Sequence, residues 1–166
     1  NYQYKNIEFR ELMGFGLSQR PNDCVFTDED LKNIVTDTHS RDNMEGINND
    51  LILASITLKY TPSNSISIAQ GGIVIGVGAG QQNRVDCIKL AGRKSLVWRL
   101  RRHPKVLELY PKFKEGIKRQ DRTNAITQYI NNDFSEEELV QWKNLFTEEI
   151  VLLTDEEKNI FLNSSD

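Results

Sequence analysis

The chain reads as an α/β unit followed by an all-helical segment. Three observations predict this. Ser65–Ala69 and Ile73–Val77 flank Gln70-Gly71-Gly72 as strand, turn and strand. Helical apolar spacing lies on both sides of that hairpin, around Leu51–Lys59 and Val85–Ala91. The last third opens two segments with capping boxes, Ser135-Glu-Glu-Glu138 and Thr154-Asp-Glu-Glu157. A boundary near Arg101–Pro104 divides the chain into residues 1–100 and 101–166.

Each element has its own reason. Thr27 as N-cap, an acidic first turn (Asp28, Glu29, Asp30) and apolar Leu31, Ile34 and Val35 predict a helix from Asp28. Thr36–Asn49 is polar and reads as a loop. Asp50 then begins a helix carrying Leu51, Ile52, Ser55, Leu58 and Lys59 at helical spacing, and Pro62 ends it. Ile66 and Ile68 alternate with polar neighbours, as on a half-exposed strand. Ile73–Val77 is nearly continuous and apolar, which predicts burial on both faces. Gly76, Gly78 and Gly80 close that strand before the helix of Val85, Ile88, Leu90 and Ala91. Gly92 is an expected interruption ahead of Ser95–Arg102. Thr123–Ile130 is a further short helix, and Leu139, Trp142, Leu145, Phe146, Ile160 and Phe161 supply apolar faces behind the two capping boxes.

Composition bounds the function classes. The 166 residues are 38% hydrophobic and 27% charged with a net charge of −3, the profile of a soluble globular chain. No apolar run approaches the ~18 residues of a membrane helix, and Asn1–Arg10 has no apolar stretch of a secretory signal. The expected setting is cytoplasmic. The start at Asn1, without an initiator Met, suggests a piece of a longer protein. Cys24 and Cys87 make no disulfide framework and read as reduced, buried, small hydrophobes. Charge is segregated. Eleven Lys and Arg face three acids between Arg93 and Arg122, while nine acids face two Lys between Ser135 and Asp166. Such blocks pair with each other, or with an anionic ligand or nucleic acid.

Most catalytic signatures are absent. The glycines lack the third position of G-x-G-x-x-G, because residue 81 is Gln, and no P-loop occurs. With only His39 and His103, and without the H-x-E and P-C-x-x-C signature, zinc chemistry is not expected. Both histidines read as surface residues. There is no G-x-S-x-G elbow for a nucleophilic serine. The Arg93–Arg122 block, with Trp98, Tyr110 and Phe113, has the composition of an anion- or RNA-binding module, though no RRM, KH or helix-turn-helix pattern accompanies it. Two residues remain. Asn64 is either a turn former or an uncharged amide donor. Arg84 is either an exposed helix residue or a planar fork for phosphate, carboxylate or a carboxamide oxygen.

Those two residues lie inside a resemblance. K-Y-T-P-S-N-S at Lys59–Ser65 and V-I-G-V-G-A-G-Q-Q-N-R at Val74–Arg84 resemble the transformylase part of the bifunctional purine-synthesis enzymes. These enzymes formylate aminoimidazole carboxamide ribonucleotide (AICAR) and close it to inosine monophosphate. The similarity extends through LAG at Leu90–Gly92, W-x-L-R-x-H-P at Trp98–Pro104, F-K-x-G-x-K-R at Phe113–Arg119, N-A-I-x-Q-Y at Asn124–Tyr129 and LLT at Leu152–Thr154. REL at Arg10–Leu12 with S-Q-R at Ser18–Arg20 resembles the linker between transformylase subdomains, and the pattern looks like the eukaryotic branch.

The resemblance implies a cytidine-deaminase-like α/β subdomain without zinc, incomplete here, followed by a helical insertion. It implies that Asn64 and Arg84 contact the ribonucleotide and that Val85 touches the folate, with Asn64 also catalytic. Ser63 and Ser65 fit a potassium site that some members carry. Asn83 stands where relatives have Ser. The implied co-substrate is 10-formyltetrahydrofolate and the implied assembly a homodimer. No Lys-His dipeptide, the family's proposed base and its partner, occurs in these residues, so the chain by itself is expected to be catalytically silent.

Overall fold

A computed structural model of the chain describes residues 6–35 and 44–164. It is mixed α/β, with two separate antiparallel hairpins and a helical C-terminal part.

The first hairpin pairs β1 (Glu8–Leu12) with β2 (Phe15–Gln19) in the register Glu8↔Gln19 to Leu12↔Phe15. The sequence pattern predicts no strands in this stretch. The turn is made by Met13 and Gly14, both at positive φ (51° and 81°). Gly14 adopts that region at no steric cost, so the chain reverses within two residues. Phe9, Met13 and Phe15 are exposed on this hairpin.

The helix expected from Asp28 is a single 3₁₀ turn, Asp28–Leu31. Thr27 is its N-cap as read, and a capping box not read from the sequence adds to it, with Asp30 Oδ2 accepting from the Thr27 N–H at 2.8 Å. Ile34 and Val35 are exposed, so no apolar face exists to extend the turn into a helix. Helix α1 spans Met44–Lys59 and starts before Asp50, within the stretch read as loop. Residues 36–43 of that expected loop, His39 among them, lie outside the described residues. Asp50 is therefore inside α1 rather than at its start. Its carboxylate accepts the N–H groups of Gly71 and Gly72 at 2.8 and 2.7 Å, which ties the helix to the next hairpin's turn.

That hairpin pairs β3 (Ser65–Gln70) with β4 (Ile73–Ala79), with a register shift at Ile68/Ala69. Gly71 and Gly72 both have positive φ, 62° and 75°, as a two-residue turn between right-twisted strands demands. β4 runs two residues beyond the expected end, and Ile73 is exposed, so burial on both faces begins only at Ile75. Gly76 and Gly78 lie within the strand rather than beyond it. A Cβ on Gly76 would sit 2.3 Å from the Ala91 carbonyl oxygen, and one on Gly78 2.0 Å from that of Cys87. The glycines thus let helix α2 (Arg84–Leu100) lie directly on the strand. α2 is continuous through Gly92, contrary to the expected interruption. Helical packing on β4 outweighs the ~1 kcal/mol penalty of one interior glycine.

The C-terminal part is helical as read: α3 (Pro104–Leu107), α4 (Arg119–Asn131), α5 (Glu136–Lys143) and α6 (Asp155–Asn163). Both capping boxes form, at Ser135/Glu138 and Thr154/Glu157. One core cluster joins Leu100 of α2 to Val106, Leu109, Tyr129, Trp142 and Leu153. Trp142 stacks on Tyr129 with ring centroids 5.7 Å apart, and its indole N–H donates to the Ala125 carbonyl at 2.9 Å. The basic and acidic blocks meet here. Lys105 pairs with Glu157, and Lys112 with Glu148 at 2.8 Å.

His103 is buried, not a surface residue. It caps α3: its Nδ1 accepts the Lys105 N–H at 3.1 Å, and its ring lies 5.0 Å from that of Phe161. Burial holds its pKa below the usual 6.5, against the opposing pull of Glu157. Of the cysteines, Cys87 is buried as expected and Cys24 is exposed. Among the described residues no helix is long and apolar enough to cross a membrane.

Candidate functional site

The site residues gather at the open end of the second hairpin, opposite its glycine turn. Ser65 is the Cα partner of Ala79, so Asn64, just before β3, is level with Gly80, just after β4. Gly80 has φ 68°, a conformation that reverses the chain toward α2 and favours glycine. Asn83 then caps α2. Its Oδ1 accepts the Asp86 N–H at 2.9 Å and its Nδ2 donates to the Asp86 carboxylate at 2.7 Å. Arg84 is the first residue of α2, where helix N–H groups lack intrahelical acceptors and the helix end is positive.

One hydrogen bond ties these pieces together. The Cys87 thiol, one turn into α2 from Arg84, donates to the Asn64 carbonyl at 2.9 Å. The Ser63–Asn64 peptide is cis. Asn64 and Ser65 are half-buried, and Ser63, Arg84 and Val85 are exposed. The structure thus brings all five expected residues to one end of the hairpin. None is sealed in the core, and Val85, next in sequence to Arg84, offers an apolar surface, 58% exposed.

Sequence reasoning missed the residue that fastens Asn64 to α2. Cys87 reads only as a buried hydrophobe, and its partner is 23 positions away. No local spacing signals such a pair. Asp50 was missed for the same reason: it holds the far end of the hairpin from another element. Asn83 was legible, since Asn before a helix with an acid three residues on is a capping pattern. Among the described residues, no three His, Cys, Asp or Glu side chains gather into a group able to hold a metal ion.

Comparison with known proteins places the chain in a family. The family model of the AICARFT/IMPCHase bienzyme matches residues 1–94, which contain the whole site. The bifunctional purine biosynthesis protein PurH of Ruminiclostridium cellulolyticum is 36% identical over 92 residues, covering 53% of this chain and 17% of that protein. The protein of the same name from Acetivibrio thermocellus is 36% identical over 84 residues, covering 51% of this chain and 16% of its own length. The chain therefore spans about one sixth of the length of these relatives. With a family match over more than half of its residues, the chain belongs to the AICARFT/IMPCHase bienzyme family.

Proposed function

We propose that this chain is the ribonucleotide-holding part of an enzyme that transfers a formyl group from 10-formyltetrahydrofolate to AICAR, within a protein that also carries IMP cyclohydrolase activity. The observation that carries the reading is the Cys87–Asn64 hydrogen bond, which fixes Asn64 beside the N-terminal turn of α2 that bears Arg84.

The chemistry follows from the residue types. The AICAR amine is a weak aromatic nucleophile, and its attack on the formyl carbon builds negative charge on the formyl oxygen. The half-buried Asn64 amide is an uncharged donor for that oxygen, and its backbone is already held in place. A preorganised donor of this kind contributes on the order of 3 kcal/mol to the transition state. Arg84, on the positive end of α2, holds the anionic ribonucleotide in attack geometry. Val85, adjacent and exposed, meets the folate. Ser63 and Ser65 flank Asn64 with neutral oxygen ligands of the kind potassium takes; they would hold such an ion, which would supply positive charge at the turn. Residues 1–100 form an incomplete cytidine-deaminase-like subdomain and 101–166 a helical insertion, in a cytoplasmic homodimer. The 166 residues alone transfer no formyl group, since they contain no Lys-His pair. Turnover by the purified chain would contradict this.

The basic block is the ground for a different reading, as an anion- or RNA-binding module. Two of its lysines, Lys105 and Lys112, already meet acids of the following block, which supports intramolecular pairing instead.

Asn64→Ala in the complete enzyme is expected to lower kcat by about 10²–10³ with KM for AICAR changed only a few-fold. Steady-state kinetics of formyl transfer measures this, and an unaltered kcat removes Asn64 from the mechanism. Arg84→Ala is expected to act chiefly on KM for AICAR, and Lys at that position does not restore the planar fork.

A further inference from the structure

At the other end of the second hairpin a cleft of about 540 Å³ opens between the Gly71 turn, the C-terminal half of α2 and the end of α6. Its nearest strand residue, Gln70, is about 20 Å along β3 from Asn64, six residue steps at ~3.3 Å each. Its walls combine two kinds of surface. Ile73, Trp98 and Phe161 are apolar or aromatic, and Arg99 in the last turn of α2 and Arg102 just beyond its end bring two guanidiniums.

Both guanidiniums are already oriented. Arg102 lies over the Trp98 ring with its Cζ 3.7 Å from the centroid. Arg99 donates to the Leu162 carbonyl at 3.1 Å, which uses one of its five N–H groups. Among the described residues, neither forms an ion pair with a carboxylate. This sets them apart from Lys105 and Lys112, whose charges are matched. A stacked guanidinium has lost much of its side-chain freedom, so less ordering is needed when an anion arrives. The Asp50 carboxylate is engaged with the Gly71 and Gly72 amides and does not compete for the arginines.

We infer that this cleft binds an organic oxyanion, a phosphate monoester or carboxylate carried on a flat apolar body. The oxyanion sits on Arg99 and Arg102, and the body lies against Ile73 and Phe161. The site is independent of the Asn64 site and of the function proposed for it.

The test uses the full chain and reads the indole N–H of Trp98 by nuclear magnetic resonance during titration with phenyl phosphate, benzoate and inorganic phosphate. A saturable shift is expected with phenyl phosphate or benzoate, and weaker binding with inorganic phosphate. Which aryl anion binds tighter tells phosphate from carboxylate. Arg102→Glu, at an exposed position, is expected to weaken binding at least about tenfold with the fold retained by circular dichroism. Arg101→Gln is the control, because the Arg101 guanidinium reaches Thr127 rather than lining the cleft, and it is expected to leave affinity within about twofold. No saturable shift with either aryl anion, or equal weakening by Arg101→Gln, overturns the assignment.

Discussion

At the scale of single residues, the glycines of β4 are decided by contact rather than by turn chemistry. Gly76 and Gly78 face the backbone of α2 so closely that a methyl group would overlap carbonyl oxygens of Ala91 and Cys87. Backbone cannot rotate away as a side chain can. Gly78→Ala is therefore expected to destabilise the chain by about 2 kcal/mol or more, in the range of overpacking substitutions. Gly92 is the contrast. It lies inside α2, where an added methyl group would meet nothing within 4 Å, so Gly92→Ala is expected to stabilise by up to about 1 kcal/mol. Urea unfolding of the two variants measures both, and equal effects would refute the close-packing account. Asn64 and Arg84, the residues proposed to hold the ribonucleotide, were picked out by residue type and resemblance, and the Cys87 contact to Asn64 was not. A thiol's partner is set by where two distant segments meet.

At the scale of elements, helix starts were readable where a Ser, Thr or Asn cap has an acid three residues on. The boxes at Ser135 and Thr154 and the Asn83 cap all formed as local sequence dictates. Length was not readable. The segment after Thr27 has a sound cap and no apolar surface to bury, so it stops after one turn. α1 begins earlier than its pattern suggested because it packs along the second hairpin. Asp50 joins those two elements by accepting two backbone N–H groups of the glycine turn. Asp50→Ala is expected to cost about 1–3 kcal/mol, as two donors lose a charged acceptor. Faster amide exchange at Gly71 and Gly72, with Ser65 unchanged, is the local signature; uniform exchange changes along β3 would argue against a specific tie.

At the scale of the whole molecule, burial is uneven. Among the described residues outside the helical cluster, the buried apolar ones are Ile75, Cys87 and Ala91, all on β4 and α2. Most of the buried apolar residues lie in the helical part, and two of its groups, His103 and Glu157, are expected to make its stability depend on pH in separate ranges. His103 is neutral when folded, since burial lowers its pKa and its Nδ1 must accept the Lys105 N–H. The unfolded state then binds the extra proton, so stability present above pH 6.5 declines as pH falls through that value toward the lowered pKa. Glu157 acts lower down. Its hydrogen bond with Lys105, then that from the Thr154 N–H, brings its pKa to about 2 from 4.5, so its contribution is present above pH 4.5 and lost as pH falls toward 2. Urea midpoints measured across this range are expected to fall in two steps. His103→Asn, which keeps a capping oxygen without a titrating ring, is expected to remove the upper step alone. Persistence of that step would assign it elsewhere.

Local sequence was enough to specify the second hairpin, the two capping boxes and the helical character of the last third, because each depends on residues within a few positions of one another. The family was legible in the same way, in the ordered residues from Lys59 to Arg84. Four features emerged only with the packed chain. Gly76 and Gly78 serve helix packing, His103 is a buried cap, Cys87 holds Asn64 beside α2, and Arg99 and Arg102 share a cleft with Phe161. The physical reason is common to all four. Each depends on the approach of separate elements, which packing sets and local spacing does not encode.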